Sequence, residues 1–336
     1  MKKITAVFII CCLLLVYIPA FSFDSTEQNY TDEIAFLGAI ELITYEFAPE
    51  EKISKAEFLN LVMTMLFKDT DFSNPDGADK PFSDVEASHP YYGAIKAAKD
   101  LGIVQGNRSA LFTPDSEINY DIALTILLNS LNYKLYAEAA GGYPSGYYYI
   151  AKQIGILKDI TVSENTVTKG ETAKLIYNAL FADCVITSEF TQDGFNLTVD
   201  SNTNILWEKF KIKEYDAQVI DNGISSLYGD SIQDDKRVVL KNLHNDESIL
   251  AYISDNSIID FLGYRIKAFV KFDTETQRNE IIYYNISKNV ETVSLKTSDI
   301  FNIANGIIEY QEDSGSSKYK KYNIGEAPTV ILNDTC

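Results

Sequence analysis

The sequence predicts an α+β chain of several domains: a helical bundle of three helix–loop–helix repeats, then a mainly β region built as a small barrel or sandwich. Three observations predict it. A ten-residue phrase occurs as ISKAEFLNLV from Ile53 and again as VTKGETAKLI from Val167, with a blurred third version, INYDIALTIL, from Ile118. Apolar residues in each phrase fall at helical spacing. From about Phe181 to Val185 onward the texture changes to period-two alternation rich in β-branched and aromatic residues. With 336 residues, 46% of them hydrophobic, the chain has room for two or three domains with sizeable cores.

The chain opens with Lys2 and Lys3, an apolar run over Ala6–Ile18, and Ala20-Phe21-Ser22. A basic start, a short apolar stretch and small residues at the cleavage positions describe a secretory signal over residues 1–22. The run is short for a membrane span and acidic Asp24 and Glu27 follow it, so it is read as cleaved rather than as an anchor. Its removal leaves a secreted chain with no stable membrane span. Cys11 and Cys12 lie inside the run, not at its end where a lipid-bearing cysteine would sit. Beyond it only Cys184 and Cys336 remain, and a disulfide between them is left open. No CxxC or cysteine–histidine cluster exists, so no metal and no cofactor are expected. A net charge of −19 argues against a nucleic-acid partner, which needs cations to replace phosphate counterions.

The repeat unit is clearest in its second copy, residues 80–133. It starts at Phe82-Ser83-Asp84-Val85 and passes through His89-Pro90-Tyr91-Tyr92 into a helix marked by Ile95, Ala98 and Leu101. Gly102 ends that helix, because glycine readily takes the left-handed conformation of a helix stop. A loop over Gln105–Ala110 and Leu111-Phe112-Thr113-Pro114 leads to a second helix near Asn119. The first copy, residues 30–68, keeps Leu37-Gly38 as its helix stop, then Phe47-Ala48-Pro49. The third, residues 143–182, keeps Tyr147-Tyr148-Tyr149-Ile150 and Ile154-Gly155-Ile156-Leu157. One such unit cannot bury its apolar face alone, so the three should pack together.

The β region is expected over residues 186–290, with strands at Phe195–Val199, Phe210–Ile220, Arg237–Leu240, Ser248–Ile253, Tyr264–Phe272 and Asn279–Ile286. Asp221-Asn222-Gly223 is a turn signal. A further β segment over residues 298–336 would run Gly306–Tyr310, turn at Asp313–Ser316 and return. It reads either as the start of a longer domain or as a last strand.

The repeated phrases also carry chemistry. Ser54-Lys55-Ala56-Glu57 and Thr168-Lys169-Gly170-Glu171 fit a capping box, in which the hydroxyl caps a backbone N–H and the glutamate reaches back. Each lysine then stands at the first helical position, at the positive end of the helix dipole and beside uncapped N–H groups. An anion approaching there would meet donors and a cation together. The competing reading is a solvated lysine with no ligand. Asn119 is the matching cap of the second copy, with Tyr120 in the lysine's place. Glu57 and Glu171 read as structural caps, and Asp84 as the cap of its repeat's first helix.

Together these units resemble S-layer homology repeats, the modules that attach exported proteins to the walls of Gram-positive bacteria. FSDVEASHPYYGAIKAAKDLGIVQG and LFTPDSEIN are similar to that family's run Phe-x-Asp-Val, His-x-x-Tyr, Gly-Ile, Gly, Phe-x-Pro. ISKAE and VTKGE resemble its Ile/Val-Thr-Arg-Ala-Glu signature, and the resemblance covers residues 30–182. It implies a pseudo-threefold bundle whose grooves bind secondary cell-wall polysaccharide, often capped by a pyruvylated, anionic sugar. The signature arginine that contacts this sugar becomes Lys55 and Lys169, while Tyr120 replaces it in the second repeat. Lysine keeps the charge but lacks the planar fork that suits a carboxylate. Pro90 stands where the family often has tryptophan. The stretch Leu262–Val270 followed by Glu280–Tyr283 loosely resembles β domains that follow such repeats in clostridial exoproteins.

Tyr91 and Tyr149 are candidates to stack on sugar or to pack the bundle; Tyr92 and Tyr148 read as core. Trp207, the sole tryptophan, reads as packing against the sheet. The two histidines, His89 and His244, lie far apart, and no phosphate loop is present, so no catalytic residue is assigned. The expectation is a non-catalytic, secreted cell-wall protein whose repeats grip anionic wall polysaccharide through Lys55, Lys169, Tyr120, Tyr91 and Tyr149. The β region would be displayed or join other surface-layer proteins. The alternatives are a wall-processing enzyme tethered by the repeats, working with a carboxylate pair, and a lattice protein whose repeats bind protein.

Overall fold

Helix–loop–helix phrases give way to strands at one point in the chain. The helices are α1 (Thr31–Ala39), α2 (Lys55–Leu66), α3 (Tyr92–Asp100), α4 (Tyr120–Ser130), α5 (Lys134–Ala139), α6 (Ser145–Gln153) and α7 (Lys169–Leu180). Strand β1 (Asp183–Thr191) follows at once and pairs with β2 (Gly194–Asn204). A short helix, α8 (Ile205–Phe210), leads into β3 (Ile212–Asp221), β4 (Arg237–Asn242), β5 (Ser248–Ile253), β6 (Arg265–Asp273) and β7 (Arg278–Ile286). These five strands close into a barrel in the order β3-β4-β5-β7-β6. A last antiparallel sheet holds β8 (Ile300–Ala304), β9 (Ile307–Tyr310) and β10 (Lys320–Asn323).

The computed structural model describes residues 30–44, 47–72, 80–162, 164–191, 194–254, 256–287, 295–311 and 319–323. The export signal over residues 1–22, the Asp313–Ser316 turn, Val330–Leu332 and Cys336, with any pairing to Cys184, lie outside the described residues. Among the described residues, no helix is long and apolar enough to cross a membrane.

Three first helices end in the same way. Ile103 N–H donates to the Ala98 carbonyl and Ile156 N–H to Ala151, both at 2.9 Å, across left-handed Gly102 and Gly155. In the first copy Leu42 N–H donates to Leu37 at 2.9 Å across Glu41, whose φ is +64°. The expected stop at Leu37-Gly38 is therefore displaced: Gly38 lies inside α1, and Glu41 holds the left-handed position where glycine would be favoured. Asn129 and Asn178 then tie second helices to first: their side-chain amides donate to the Ile103 and Ile156 carbonyls, each at 2.9 Å.

Gly93 and Gly146, both in the first turn of a repeat's first helix, permit another close approach. A Cβ at Gly93 would lie 1.7 Å from the Phe72 carbonyl oxygen, and one at Gly146 2.1 Å from that of Ala137. The preceding segment thus crosses the helix at backbone contact.

The helices share one core, and the barrel has its own, built from residues such as Val219, Val238, Leu240, Ala268 and Val270. Strand alternation turns Phe269 of β6 outward, into the helical core. Its ring centroid lies 4.2 Å from that of Phe36 in α1. Beside this contact Lys174 Nζ pairs with Glu33 Oε1 at 2.7 Å, both side chains largely shielded.

Candidate functional site

The three repeated phrases meet at one place. Ile53 N–H donates to the Val167 carbonyl (3.4 Å), Val167 N–H to Ile118 (3.0 Å) and Ile118 N–H to Ile53 (3.1 Å). The bonds form a closed ring, and all three side chains are fully buried. Single-residue β-bridges, Lys52 to Thr168, Ser54 to Glu117 and Asn119 to Thr166, extend it. An extended apolar residue before each cap is the local cause: its side chain enters the core and its peptide bonds reach the two neighbours.

The ring changes what each helix start can offer. Lys55 and Ala56 N–H donate to the Ser116 and Pro114 carbonyls at 2.9 and 3.0 Å. Lys169 and Gly170 N–H donate to Glu51 and Pro49 at 2.7 and 2.8 Å, and Tyr120 N–H to Asn165 at 2.9 Å. The third amide in each helix is taken by its cap: Glu57 by Ser54 Oγ (3.1 Å), Ile122 by Asn119 Oδ1 (2.9 Å) and Glu171 by Thr168 Oγ1 (3.1 Å). The expectation of uncapped N–H groups awaiting an anion is corrected, because neighbouring segments' carbonyls fill those donors. Any anion would meet side chains instead.

The capping side chains differ. Thr168 and Glu171 make the full reciprocal box, with Thr168 N–H donating to Glu171 Oε2 at 2.8 Å. Glu57 instead approaches the Lys169 amine, at 3.7 Å. Asp84 does not cap α3: its oxygens accept the Phe112 and Thr113 N–H groups at 2.9 and 2.7 Å. It thereby closes the loop between the repeat's two motifs, and these bonds hold its carboxyl below the usual range even against desolvation. The start of α3 has no side-chain cap; just before it His89 Nδ1 accepts Tyr91 N–H at 3.1 Å, and its Nε2 lies 3.2 Å from Asp115 Oδ1.

The two lysines occupy different environments. Lys55 Nζ donates to the Phe112 carbonyl at 2.7 Å and stands 4.2 Å from that ring's centroid. Phe112 stacks on Phe82 at 5.2 Å, and Lys99 stands 5.0 Å over Phe82, so the Phe-Ser-Asp-Val and Phe-x-Pro elements form one aromatic pair with an ammonium at each ring. Burial pushes the Lys55 amine below the ordinary lysine value, with Asp84 opposing. Lys169, by contrast, has two carboxylates: Glu51 Oε2 at 2.8 Å and Glu57 Oε1 at 3.7 Å. The Glu51 bond leads in raising its pKa.

These contacts repeat a pattern. In two copies the first helical residue stands by the third helical residue of another copy: Lys169 by Glu57, and Tyr120 by Glu171. By the same permutation Lys55 corresponds with Ile122, which has no charge. Lys55 is thus the cation whose matching carboxylate is missing.

Tyr120 is fully buried with its ring in the core; burial, and after it the Glu171 charge, raises its pKa, and the hydroxyl has no hydrogen-bond partner among the described residues. It is withdrawn from the ligand-facing set, since no sugar can reach it without opening the bundle. Half-buried Tyr91 is close enough to Glu57 and Lys169 for both charges to act on its hydroxyl. Tyr149 is 61% exposed on α6, in the turn where Tyr148 and Tyr143 sense the Asp121 charge of α4. The geometry brings Lys169, Tyr91 and Glu57 together; no contact joins Tyr149 to either lysine. Sequence reading missed Glu51, Phe112, Asn129 and Asn178, whose partners are distant in the chain. Among the described residues, no group of three or more histidine, cysteine or acidic side chains could hold a metal ion.

Residues 81–121 match the family model of the S-layer homology domain. The chain is 28% identical over 153 residues, 44% of its length, to a middle cell wall protein of Brevibacillus brevis. It is also 28% identical over 159 residues, 46% of its length, to a cell surface protein of Thermoanaerobacter kivui. The matched parts span 14% and 20% of those two proteins.

Proposed function

We propose, for a chain that carries an S-layer homology domain, a non-catalytic role: a secreted protein anchored to the Gram-positive cell wall that displays its β region at the surface. The anchor is residues 30–182, read as three repeats (30–68, 80–133 and 143–182) in a pseudo-threefold bundle. The observation that carries this reading is the closed ring of Ile53, Ile118 and Val167. It relates the unmatched first and third copies to the matched second one, bond for bond. The names of the two relatives support the wall location.

The ligand is an anionic secondary wall polysaccharide, and the grooves are unequal partners for it. Lys55 is a partly desolvated ammonium held by a neutral carbonyl and a ring face. A sugar carboxylate would restore to it the charge-assisted bond it lacks. At Lys169 that place is already taken by Glu51. The Lys55 groove, with Asp84, Phe112 and Phe82 shaping it, is therefore the principal acidic-sugar site. The Lys169 groove, with Tyr91, is the weaker one, and Tyr149 offers a ring face elsewhere. Two modest sites engaging one polymer would hold far more firmly than either alone.

Co-sedimentation with purified walls tests the role. The protein should pellet with intact walls and stay in solution with walls stripped of the secondary polymer. Equal pelleting with both would reject the polysaccharide as the ligand.

A further inference from the structure

A second concentration of positive charge lies away from the ring, in a chain whose net charge is −19. It is built where the end of α2 meets α8 and β3. On α8, Trp207 and Phe210 are three residues apart and share one face. Lys213 Nζ stands 4.5 Å from the Trp207 ring centroid and Lys211 Nζ 5.5 Å from it. Lys68, just past the end of α2, stands 5.3 Å over Phe210, and Lys209 of α8 stands 6.0 Å over Phe67. The two elements thus exchange lysines across each other's rings.

Among the described residues, none of these four amines has a carboxylate within 4.0 Å. Two neighbouring acids are engaged elsewhere: Glu208 accepts the Thr203 hydroxyl at 2.8 Å, and Glu214 lies 3.0 Å from Lys267, while Asp69 and Asp71 follow Lys68 in the chain. Lys211 is the left-handed C-cap of α8, with φ +56°. Lys68, Lys209 and Lys213 are exposed and Lys211 half-buried. Cation–π contacts steady each ammonium without neutralising it. Four like charges around one junction gain most from a ligand that carries several negative charges in series.

We propose that this junction is a second binding site, for a linear polyanion bearing carboxylate or phosphate groups along its length. The charge argument stands without the wall-anchoring reading; only the choice of a wall polymer as the natural polyanion rests on it.

Trp207 is the sole tryptophan, so its fluorescence reports directly on the site. The full-length protein is titrated with polygalacturonate, with inorganic polyphosphate and with neutral dextran. At least one polyanion should give a saturable change in emission that weakens with added salt, and dextran none; the two polyanions separate a carboxylate from a phosphate ligand. Replacing Lys68, Lys209, Lys211 and Lys213 together by Gln should weaken binding at least tenfold with the melting temperature retained. No saturable response to either polyanion, an equal response to dextran, or unaltered affinity in the fourfold variant would overturn the proposal. Failure to pellet with walls, beside an intact polyanion response, would count against the anchoring reading alone.

Discussion

Lys169 Nζ rests 2.8 Å from Glu51 Oε2, so the cation of the third helix start is met by an acid from the first repeat, 118 residues away. Glu51 is 62% exposed at its side chain, and in the proposed function it competes with an acidic sugar for the Lys169 amine. Glu51→Gln removes the competitor and leaves the shape. Affinity for purified secondary wall polysaccharide should rise roughly two- to fivefold at low salt, the scale of one exposed ion pair. The gain should vanish in the Glu51→Gln, Lys169→Ala double variant. Calorimetric titration of the single and double variants checks both statements; a loss of affinity in the single variant would show that Glu51 helps the ligand.

The two lysines should titrate in a definite order. Burial lowers Lys55, whereas the Glu51 and Glu57 contacts raise Lys169. On raising pH, Lys55 should lose its proton first, below the ordinary lysine value, and Lys169 last, above it. Acid-sugar binding at Lys55 is present below its folded pKa and lost as pH rises through it. For stability the signs differ. The charged Lys55 carries a desolvation cost that disappears as pH rises through its lowered value. The Lys169 pair stabilises fully below the unfolded lysine value and is lost through the raised one. NMR of the side-chain carbons next to each amine follows the two sites separately.

Glu41 is a residue in a glycine's position. Its φ of +64° matches Gly102 at +71° and Gly155 at +82° in the other two copies. Glu41→Gly should stabilise the protein by about 1 kcal/mol, partly offset by the entropy glycine adds to the unfolded chain. Denaturant melts measure it; a clear destabilisation would mean that the Glu41 side chain carries contacts worth more than the strain.

Gly93→Ala should act in the opposite direction. The added Cβ would meet a backbone oxygen at 1.7 Å, and a crossing main chain cannot swing away as a side-chain end can. A loss of roughly 2–4 kcal/mol is expected, with Gly146→Ala similar. An unchanged melting temperature would show that the crossing segments yield freely.

What the sequence made legible was local. Helical spacing, the Ser54, Asn119 and Thr168 caps and the switch to strands near residue 183 are signals within a few residues. The contacts that decide the site are not local. Lys55 meets Phe112 across 57 positions, and Asp84 meets Phe112 across 28, so Asp84 read as a nearby cap when it is a loop clasp. Tyr120 read as a surface substitute for lysine, yet it is buried against Glu171, because an uncharged ring at that position gains more from the core than from water. Helix α8 fell between the strands expected at Phe195–Val199 and Phe210–Ile220, since ILWEKF is too short for helical period to show. The Glu41 stop was masked by Gly38, the nearer glycine and the wrong one.

The central claim is that the bundle holds an anionic wall glycan chiefly through the under-compensated ammonium of Lys55. The most direct measurement is the dissociation constant of purified secondary wall polysaccharide for the wild-type protein and for Lys55→Ala, side by side. Loss of one charge-assisted contact should weaken binding about tenfold or more, with the fold's melting temperature retained. Equal affinity in the two proteins, or no binding by either, would contradict the account.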